Sequence, residues 1–167
     1  MPRITRVAVL LVQNTPANAG VLKTMEMAAK SLKVELQKFE VGGLADFDGA
    51  FAAIAKKRVN AVVVSEHPLF LANPRPIADL ATAKRMLSVG TGEYAAAGLT
   101  IGYGVDFIDL WRRMGYFVDK ILKGAKPGDI PIEQASRFEF VVNMKTAKAL
   151  GIKIPQLVLL QATKVIE

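Results

Sequence analysis

Short apolar runs alternate with amphipathic stretches along this chain, and the alternation limits the folds that the chain can adopt. Residues 7–12 and 61–64 are continuous β-branched and aliphatic runs, which are typical of strands buried on both faces. Between them, apolar side chains recur at spacings of three and four, as on one face of a helix. Strands that alternate with helices through short connections indicate a mainly parallel sheet with right-handed crossovers.

The same pattern predicts the order of the elements. Strands are expected at residues 7–12, 34–41, 61–64, 86–89 and 99–103, with helices between them, and the longest helix runs from 106 to about 123. We therefore expect an α/β fold, a three-layer α/β/α sandwich whose mainly parallel sheet has five or six strands.

This order also suggests how the chain is divided. Residues 1–105 are expected to form an α/β ligand-binding lobe. Residues 106–167 are expected to supply the long helix, a strand and a tail that complete the lobe or swap onto another copy, within a single domain.

Composition removes several classes of function. The 167 residues include no cysteine, which excludes disulfides, zinc–thiolate centres and cysteine nucleophiles. The formal charge of +7 comes from basic residues that are scattered along the sequence without interleaved aromatic side chains. We interpret them as solvated surface and expect no nucleic-acid partner. Neither Gly90-Thr91-Gly92 nor Gly102-Tyr103-Gly104 opens a helix in the dinucleotide-binding pattern, so no cofactor is expected.

The N-terminus has a superficial likeness to a signal peptide. It begins Met1-Pro2-Arg3 and continues into the apolar run at 7–12, which meets Gln13-Asn14 instead of a small-residue cleavage site. A buried strand is the better interpretation. Nothing in this stretch predicts export, so a complete chain would be cytoplasmic.

Polar and aromatic side chains follow the predicted strands. In a parallel sheet, ligands bind beyond the carboxyl ends of the strands, so these residues are expected along one rim. The candidate ligand-binding residues are Asn14, Thr15, Glu66, His67, Glu93, Tyr94, Tyr103 and Asp106.

The candidates differ in chemistry, and each has a structural alternative. Tyr94 and Tyr103 offer rings for stacking and hydroxyls for hydrogen bonds, or they are half-buried packing residues. Asn14 and Thr15 offer donors and acceptors beside a helix N-terminus suited to a carboxylate or phosphate, or they form a turn.

Glu66 and His67 are the pair most suggestive of catalysis, because His67 is the only histidine. A general base needs an orienting partner and a nucleophile, and a metal site needs further ligands within reach. We expect a ligand hydrogen bond or a capped loop here, with neither catalysis nor metal binding. Glu93 and Asp106 could bind a ligand amine, although Asp106 could instead cap the long helix.

The C-terminal third carries a specific likeness over about 60 residues. Residues 109–127 read DLWRRMGYFVDKILKGAKP, residues 129–134 read DIPIEQ and residues 138–151 read FEFVVNMKTAKALG. This part, together with the ending from Ile154-Pro155 to Glu167, resembles the ABC transporter substrate-binding family that includes the tryptophan/tyrosine-type binding proteins. The resemblance implies a periplasmic-binding-protein-like type I fold.

The resemblance also implies a function and a departure from it. Family members are two-lobed, hinge-closing receptors that deliver a small molecule, such as an amino acid, to an ABC permease from the periplasmic side of the membrane. This chain matches the second lobe and the C-terminal part, as a fragment or as a descendant that lost a lobe. In the family the long helix packs on the first lobe, so we expect its apolar surface to be exposed here and to form a homodimer through residues 106–123.

Two other classes of protein stay open. One is a lobe-only assembly or interaction protein that has lost its ligand. The other is a cytoplasmic module of flavodoxin or receiver type. A receiver needs an acidic pair after the first strand and a phosphorylatable Asp after the third, and those places hold Gln13-Asn14 and Ser65-Glu66.

Overall fold

The computed structural model describes residues 4–167 and contains one seven-stranded sheet. The basic start Met1–Arg3 lies outside the described residues. The strands are β1 (Arg6–Val12), β2 (Glu35–Val41), β3 (Ala61–Val64), β4 (Leu87–Gly90), β5 (Ile101–Val105), β6 (Phe138–Asn143) and β7 (Lys164–Ile166).

Eight α-helices connect and follow the strands in the described part of the chain. They are α1 (Asn18–Leu32), α2 (Phe47–Lys56), α3 (Pro68–Ala72), α4 (Pro74–Ala83), α5 (Gly92–Ala97), α6 (Phe107–Leu122), α7 (Met144–Ala149) and α8 (Gln156–Gln161). Across residues 4–167, none of the helices combines the length and apolar character that crossing a membrane requires.

The sheet is parallel over its first five strands. The spatial order is β2-β1-β3-β4-β5-β6-β7, with β6 antiparallel to β5 and β7 parallel to β6. Because β2 and β3 flank β1, the first two crossovers run in opposite directions. Right-handed connections then place α1 on one face of the sheet and α2 and α4 on the other.

Side chains of β1 explain why this strand is central. Ala8, Leu10 and Val12 belong to the core cluster formed with α2 and α4, in which Phe47 and Phe51 are the largest α2 side chains. Val9 and Leu11 on the opposite face are also fully buried. A strand that is covered on both faces reads as a continuous apolar run, as residues 7–12 do.

The predicted α/β fold with a mainly parallel sheet is confirmed, and the sheet is wider than expected. The prediction of five or six strands was too low because β6 and β7 extend the sheet beyond β5. Strand β5 begins at Ile101, two residues later than expected, because Leu99 and Thr100 are buried in the connection before it.

Helix α5 was not predicted. Residues 90–94 look like a glycine-rich turn, yet Gly92 begins a helix that packs tightly on the sheet. A Cβ at Gly90 would collide with the Tyr94 ring, and a Cβ at Gly102 would lie 2.8 Å from Gly92 Cα. Glycines here therefore allow close packing, which single-sequence turn signals do not distinguish from a loop.

Residues 106–137 leave the sheet and return to it, and we call this segment the arm. It departs after Val105 and returns at Phe138, which pairs with Val105 in the antiparallel register. The Asp106 N–H donates to the Arg137 carbonyl at 3.1 Å, which closes the base of the arm. The long helix was predicted at 106–123, and α6 spans Phe107–Leu122 with Asp106 as its cap.

Candidate ligand-binding rim

The carboxyl ends of β1, β3, β4 and β5 lie along one edge of the sheet, which we call the rim. The strand order changes direction at β1, with β2 on one side and β3 on the other. In open parallel sheets the loops at such a switch point separate and leave a crevice that binds ligands. The rim is therefore where ligand chemistry is sought first.

The loop after β1 is a turn with exposed polar side chains. Asn14 is in the left-handed region at φ 56°, a conformation that asparagine tolerates better than most residues. The Thr15 carbonyl accepts from the Asn18 N–H at 3.0 Å, and the Asn18 side chain donates to the Val12 carbonyl at 2.8 Å. The Asn14 and Thr15 side chains stay at the rim, beside the start of α1.

The loop after β3 is organised by His67. Its Nδ1 accepts from the Leu69 N–H at 3.1 Å, so His67 caps α3 and holds its proton on Nε2 when neutral. Its ring also lies edge-on to Phe70. Glu66 beside it is exposed. His67 thus has a structural role as a cap, and Glu66 offers an unburied carboxylate.

Tyr94 lies in the core instead of at the rim surface. The side chain is 1% exposed, and its hydroxyl donates to the Ser65 carbonyl at 3.3 Å, linking α5 to the end of β3. Burial raises the pKa of Tyr94 to about 12, and the carboxylates of Glu66 and Glu93 act in the same direction. The expected stacking role does not fit this position, because the ring has no open face.

Thr91 is a rim residue that the sequence analysis did not single out. It is 6% exposed, and its hydroxyl has no hydrogen-bond partner among the described residues. A buried hydroxyl without a partner costs about 1–3 kcal/mol, so the Thr91 hydroxyl has hydrogen-bonding capacity that no described protein group uses.

Glu139 lies next to Thr91 in space although it is far away in sequence. It faces Gly104 in the β5–β6 register, and its carboxylate packs against Gly92, where a Cβ would collide with it. Thr91 Cβ lies 3.8 Å from the position that a Cβ on Gly104 would take. Because Gly92 and Gly104 have no side chains, the Glu139 carboxylate and the Thr91 hydroxyl both have room at the ends of β4 and β5.

Tyr103 lies on the other face of the sheet. Neighbouring Gly102 faces α5, and successive residues of a strand point to opposite faces. The Tyr103 ring is 62% exposed and stacks on Phe138 with centroids 6.0 Å apart. The structure therefore does not bring Tyr103 together with Thr91 and Glu93.

Asp106 is the cap of α6, one of the two roles considered for it. Its Oδ1 accepts from the Asp109 N–H at 3.0 Å, and the Asp109 carboxylate lies 3.4 Å from the Arg137 guanidinium. Further along, Arg113 binds Glu133 and lowers the pKa of that carboxyl through these hydrogen bonds. These pairs line a cavity of about 100 Å³ at the root of the arm, too small for an amino acid.

The rim carries three carboxylates. Glu93 is exposed in the first turn of α5, Glu66 is exposed after β3, Thr91 follows β4, and Glu139 lies on β6. Within residues 4–167, no group of three metal-ligating side chains is arranged to hold an ion. Carboxylates together with a hydroxyl acceptor are complementary to a protonated amine.

Solved structures with the same fold are known from bacteria. A conserved domain protein of Vibrio cholerae superposes with a TM-score of 0.87 at 22% sequence identity, covering 99% of this chain and 56% of that one. A Streptococcus pneumoniae ABC domain in complex with L-Trp gives 0.86 at 22% identity, covering 99% and 57%.

A third structure comes from Clostridium difficile, a ligand-free, open substrate-binding protein with adhesive properties. It gives a TM-score of 0.71 at 15% identity, covering 99% of this chain and 55% of that one. At these identities the likeness establishes the fold, and this chain spans little more than half the length of each structure. Among curated proteins, none matches the chain.

The sequence itself gives the family. The family model described as ABC transporter substrate binding protein matches residues 1–166, nearly the whole chain. This match includes the C-terminal segments that carry the resemblance and also the rim loops upstream of them. The chain belongs to the ABC transporter substrate binding protein family.

Proposed function

We propose that this chain is the solute-binding lobe of an ABC importer's substrate-binding component, and that the solute binds at the rim. The family match over residues 1–166 is the observation that carries this proposal. In this role, as in the family, the protein binds its solute on the outer side of the cytoplasmic membrane and delivers it to a permease in that membrane. The fold shared with an L-Trp complex supports a small organic solute.

The chemistry of the rim supports an amine-bearing solute such as an amino acid. Glu66 after β3 and Glu93 in the first turn of α5 are exposed carboxylates, and Glu139 on β6 adds a third. The Thr91 hydroxyl is closed to solvent in this structure, and movement of the loop after β4 would let it accept a hydrogen bond from an ammonium group. Asn14 and Thr15 on the neighbouring loop can bind the polar groups at the other end of the solute.

Thermal unfolding in the presence of candidate solutes tests this proposal. A solute that binds only the native protein stabilises it, and at ten times its Kd the gain is about 1.4 kcal/mol, or roughly 3–5 °C in Tm for a chain of this size. We expect one or more amino acids at millimolar concentration to give such a shift. If amino acids and simple amines all leave Tm unchanged, the solute-binding role of this chain alone is wrong.

Thr91→Val provides a variant that separates binding from stability. Valine keeps the shape of threonine and removes a buried hydroxyl that has no partner, so Tm without solute should stay equal or rise by a few degrees. The solute-induced shift should fall by half or more. Thr24→Val, which removes an exposed hydroxyl on α1, is the matched control and should retain the full shift.

We further propose that the arm pairs with a second copy of the chain. Its outward side chains on α6 repeat at spacings of three and four, which is the pattern of a helix-pairing seam. These side chains, which we call the seam, are Ile108, Trp111, Val118 and Leu122, with Gly115 between them. Their exposed fractions run from 55% to 81%. A second copy would cover an apolar surface that has no cover within residues 4–167.

A further inference from the structure

Basic side chains gather at the edge of the sheet opposite the rim. In each strand–helix–strand unit the helix ends where the next strand begins, so the ends of α1, α2 and α4 all lie at the amino edge. Each helix ends with an exposed pair of cations. These are Lys30 and Lys33 after α1, Lys56 and Arg58 after α2, and Lys84 and Arg85 after α4, which together we call the basic edge.

Few negative charges oppose these cations. Glu35 at the start of β2 pairs with Arg6 at 3.6 Å, and within residues 4–167 no carboxylate forms an ion pair with the basic edge. Arg85 instead donates to the Leu150 carbonyl at 3.3 Å. Six of the 22 basic residues, scattered in the sequence, therefore meet at one end of the molecule.

Three of these cations occupy positions that favour glycine. Lys33, Arg58 and Arg85 have φ angles of 55°, 54° and 54°, in the left-handed region that closes a helix. After α6 and α7 this chain uses Gly124 and Gly151 at the same position. Side chains in this conformation carry a steric cost that glycine avoids, so closing the helices does not require the cations.

We propose that the basic edge binds the anionic surface of a lipid bilayer. Long exposed Lys and Arg side chains across three helix ends make a diffuse positive surface, which suits a layer of negatively charged headgroups. A single-stranded nucleic acid is a poorer fit, because bases bind by stacking on aromatic side chains and the three helix ends, at residues 30–33, 56–58 and 84–85, carry none. The bilayer contact leaves the rim and the arm free on the opposite side.

Vesicle co-sedimentation of the 167-residue chain tests the proposal. Vesicles contain 30% phosphatidylglycerol in phosphatidylcholine, or phosphatidylcholine alone, at 50 mM and 500 mM NaCl. We expect binding only to the anionic vesicles, and loss of it at 500 mM NaCl, because salt shortens the range of these interactions. Absence of binding to the anionic vesicles at 50 mM, or equal binding to both compositions, overturns the proposal.

Two variants of equal charge locate the surface. Lys30→Gln/Lys56→Gln/Lys84→Gln changes three cations of the basic edge outside the left-handed positions. Each basic residue near a bilayer contributes about fivefold to partitioning, so the affinity should fall about 100-fold. Lys120→Gln/Lys123→Gln/Lys126→Gln removes the same charge from the arm and should change it less than about threefold.

The remaining outcomes separate lipid from other polyanions. An equal loss in the arm variant means that net charge alone drives binding and overturns the assignment to the basic edge. Tighter binding to a 25-base-pair DNA duplex than to the vesicles at the same salt concentration overturns the proposal that a lipid bilayer is the partner. We expect both variants to keep the solute-induced thermal shift. The test of lipid binding is therefore independent of the test of solute binding at the rim.

Discussion

The buried hydroxyl of Tyr94 makes the stability of the protein depend on pH in the alkaline range. Its pKa is raised from 10.0 to about 12 by burial. Because the folded state holds this proton more tightly than the unfolded state, the contribution to stability is complete below pH 10 and disappears as the pH rises toward 12. A difference of this size corresponds to about 2–3 kcal/mol. We expect the free energy of unfolding in urea to fall by about 2 kcal/mol between pH 9.5 and 12.

Tyr94→Phe is the variant that isolates this residue. It removes the titrating group, so the alkaline decline should become shallower, while the lost hydrogen bond to Ser65 lowers stability at neutral pH by about 1 kcal/mol. Absorbance at 295 nm should show the last of the three tyrosines ionising late in the wild type and absent in the variant. An unchanged decline in Tyr94→Phe would assign the effect to other groups.

Residue positions at the rim were predictable where they follow a parallel strand. Asn14, Glu66 and Glu93 could be placed because the strand that precedes each one is a clear apolar run. The burial of Tyr94 could not be foreseen, because the helix that carries it was not recognised. Glu139 had no signal at all, since its partner Gly104 lies across an antiparallel pairing that no local pattern encodes.

At the scale of elements, glycines decide how closely α5 approaches the sheet. Gly102 on β5 is buried, and a Cβ there would collide with the Thr91 carbonyl and lie 2.9 Å from Ala95 Cβ. Two of its three closest neighbours are backbone atoms, so the strain cannot be relieved by a side-chain rotation. We expect Gly102→Ala to destabilise the protein by about 3 kcal/mol in urea unfolding and to reduce the solute-induced shift, because the Thr91 loop must move.

Gly49→Ala is the control for that substitution. Gly49 lies in α2, where an added methyl group would meet no neighbouring atom within 4 Å, and alanine is the better helix former. Stability should therefore rise by up to about 1 kcal/mol. Equal effects of the two substitutions would mean that close packing of α5 on β5 does not constrain the rim.

The order of elements was predictable because each local signal agreed with the global fold. Apolar runs of the right length gave β1 and β3, and periodic stretches gave α2 and α6. Short elements rich in alanine and glycine, such as α5, have neither a strong period nor a length that separates helix from turn. Their conformation is set by tertiary packing, which the sequence encodes only through pairs distant along the chain.

At the scale of the whole molecule, the seam on α6 decides how copies of the chain meet. On the inner side of α6, Leu110 and Phe117 are half-buried and line the small cavity shared with residues 133–137 of the returning half of the arm. Trp111 and Val118 point outward instead, with 67% and 55% of each side chain exposed. Pairing this seam across a twofold axis would remove the outward apolar surface from water without disturbing the lobe.

Val118→Asp tests this pairing with a charge at the centre of the seam. We expect the wild type to show a mass above that of the monomer in light scattering at tens of micromolar, and the variant to be monomeric, since an unpaired carboxylate cannot be buried between two helices. Trp111 emission should shift to longer wavelength on dissociation. Lys123→Asp, off the seam, should leave the mass unchanged. A wild type that is monomeric at these concentrations would contradict the proposed pairing of the arm with a second copy.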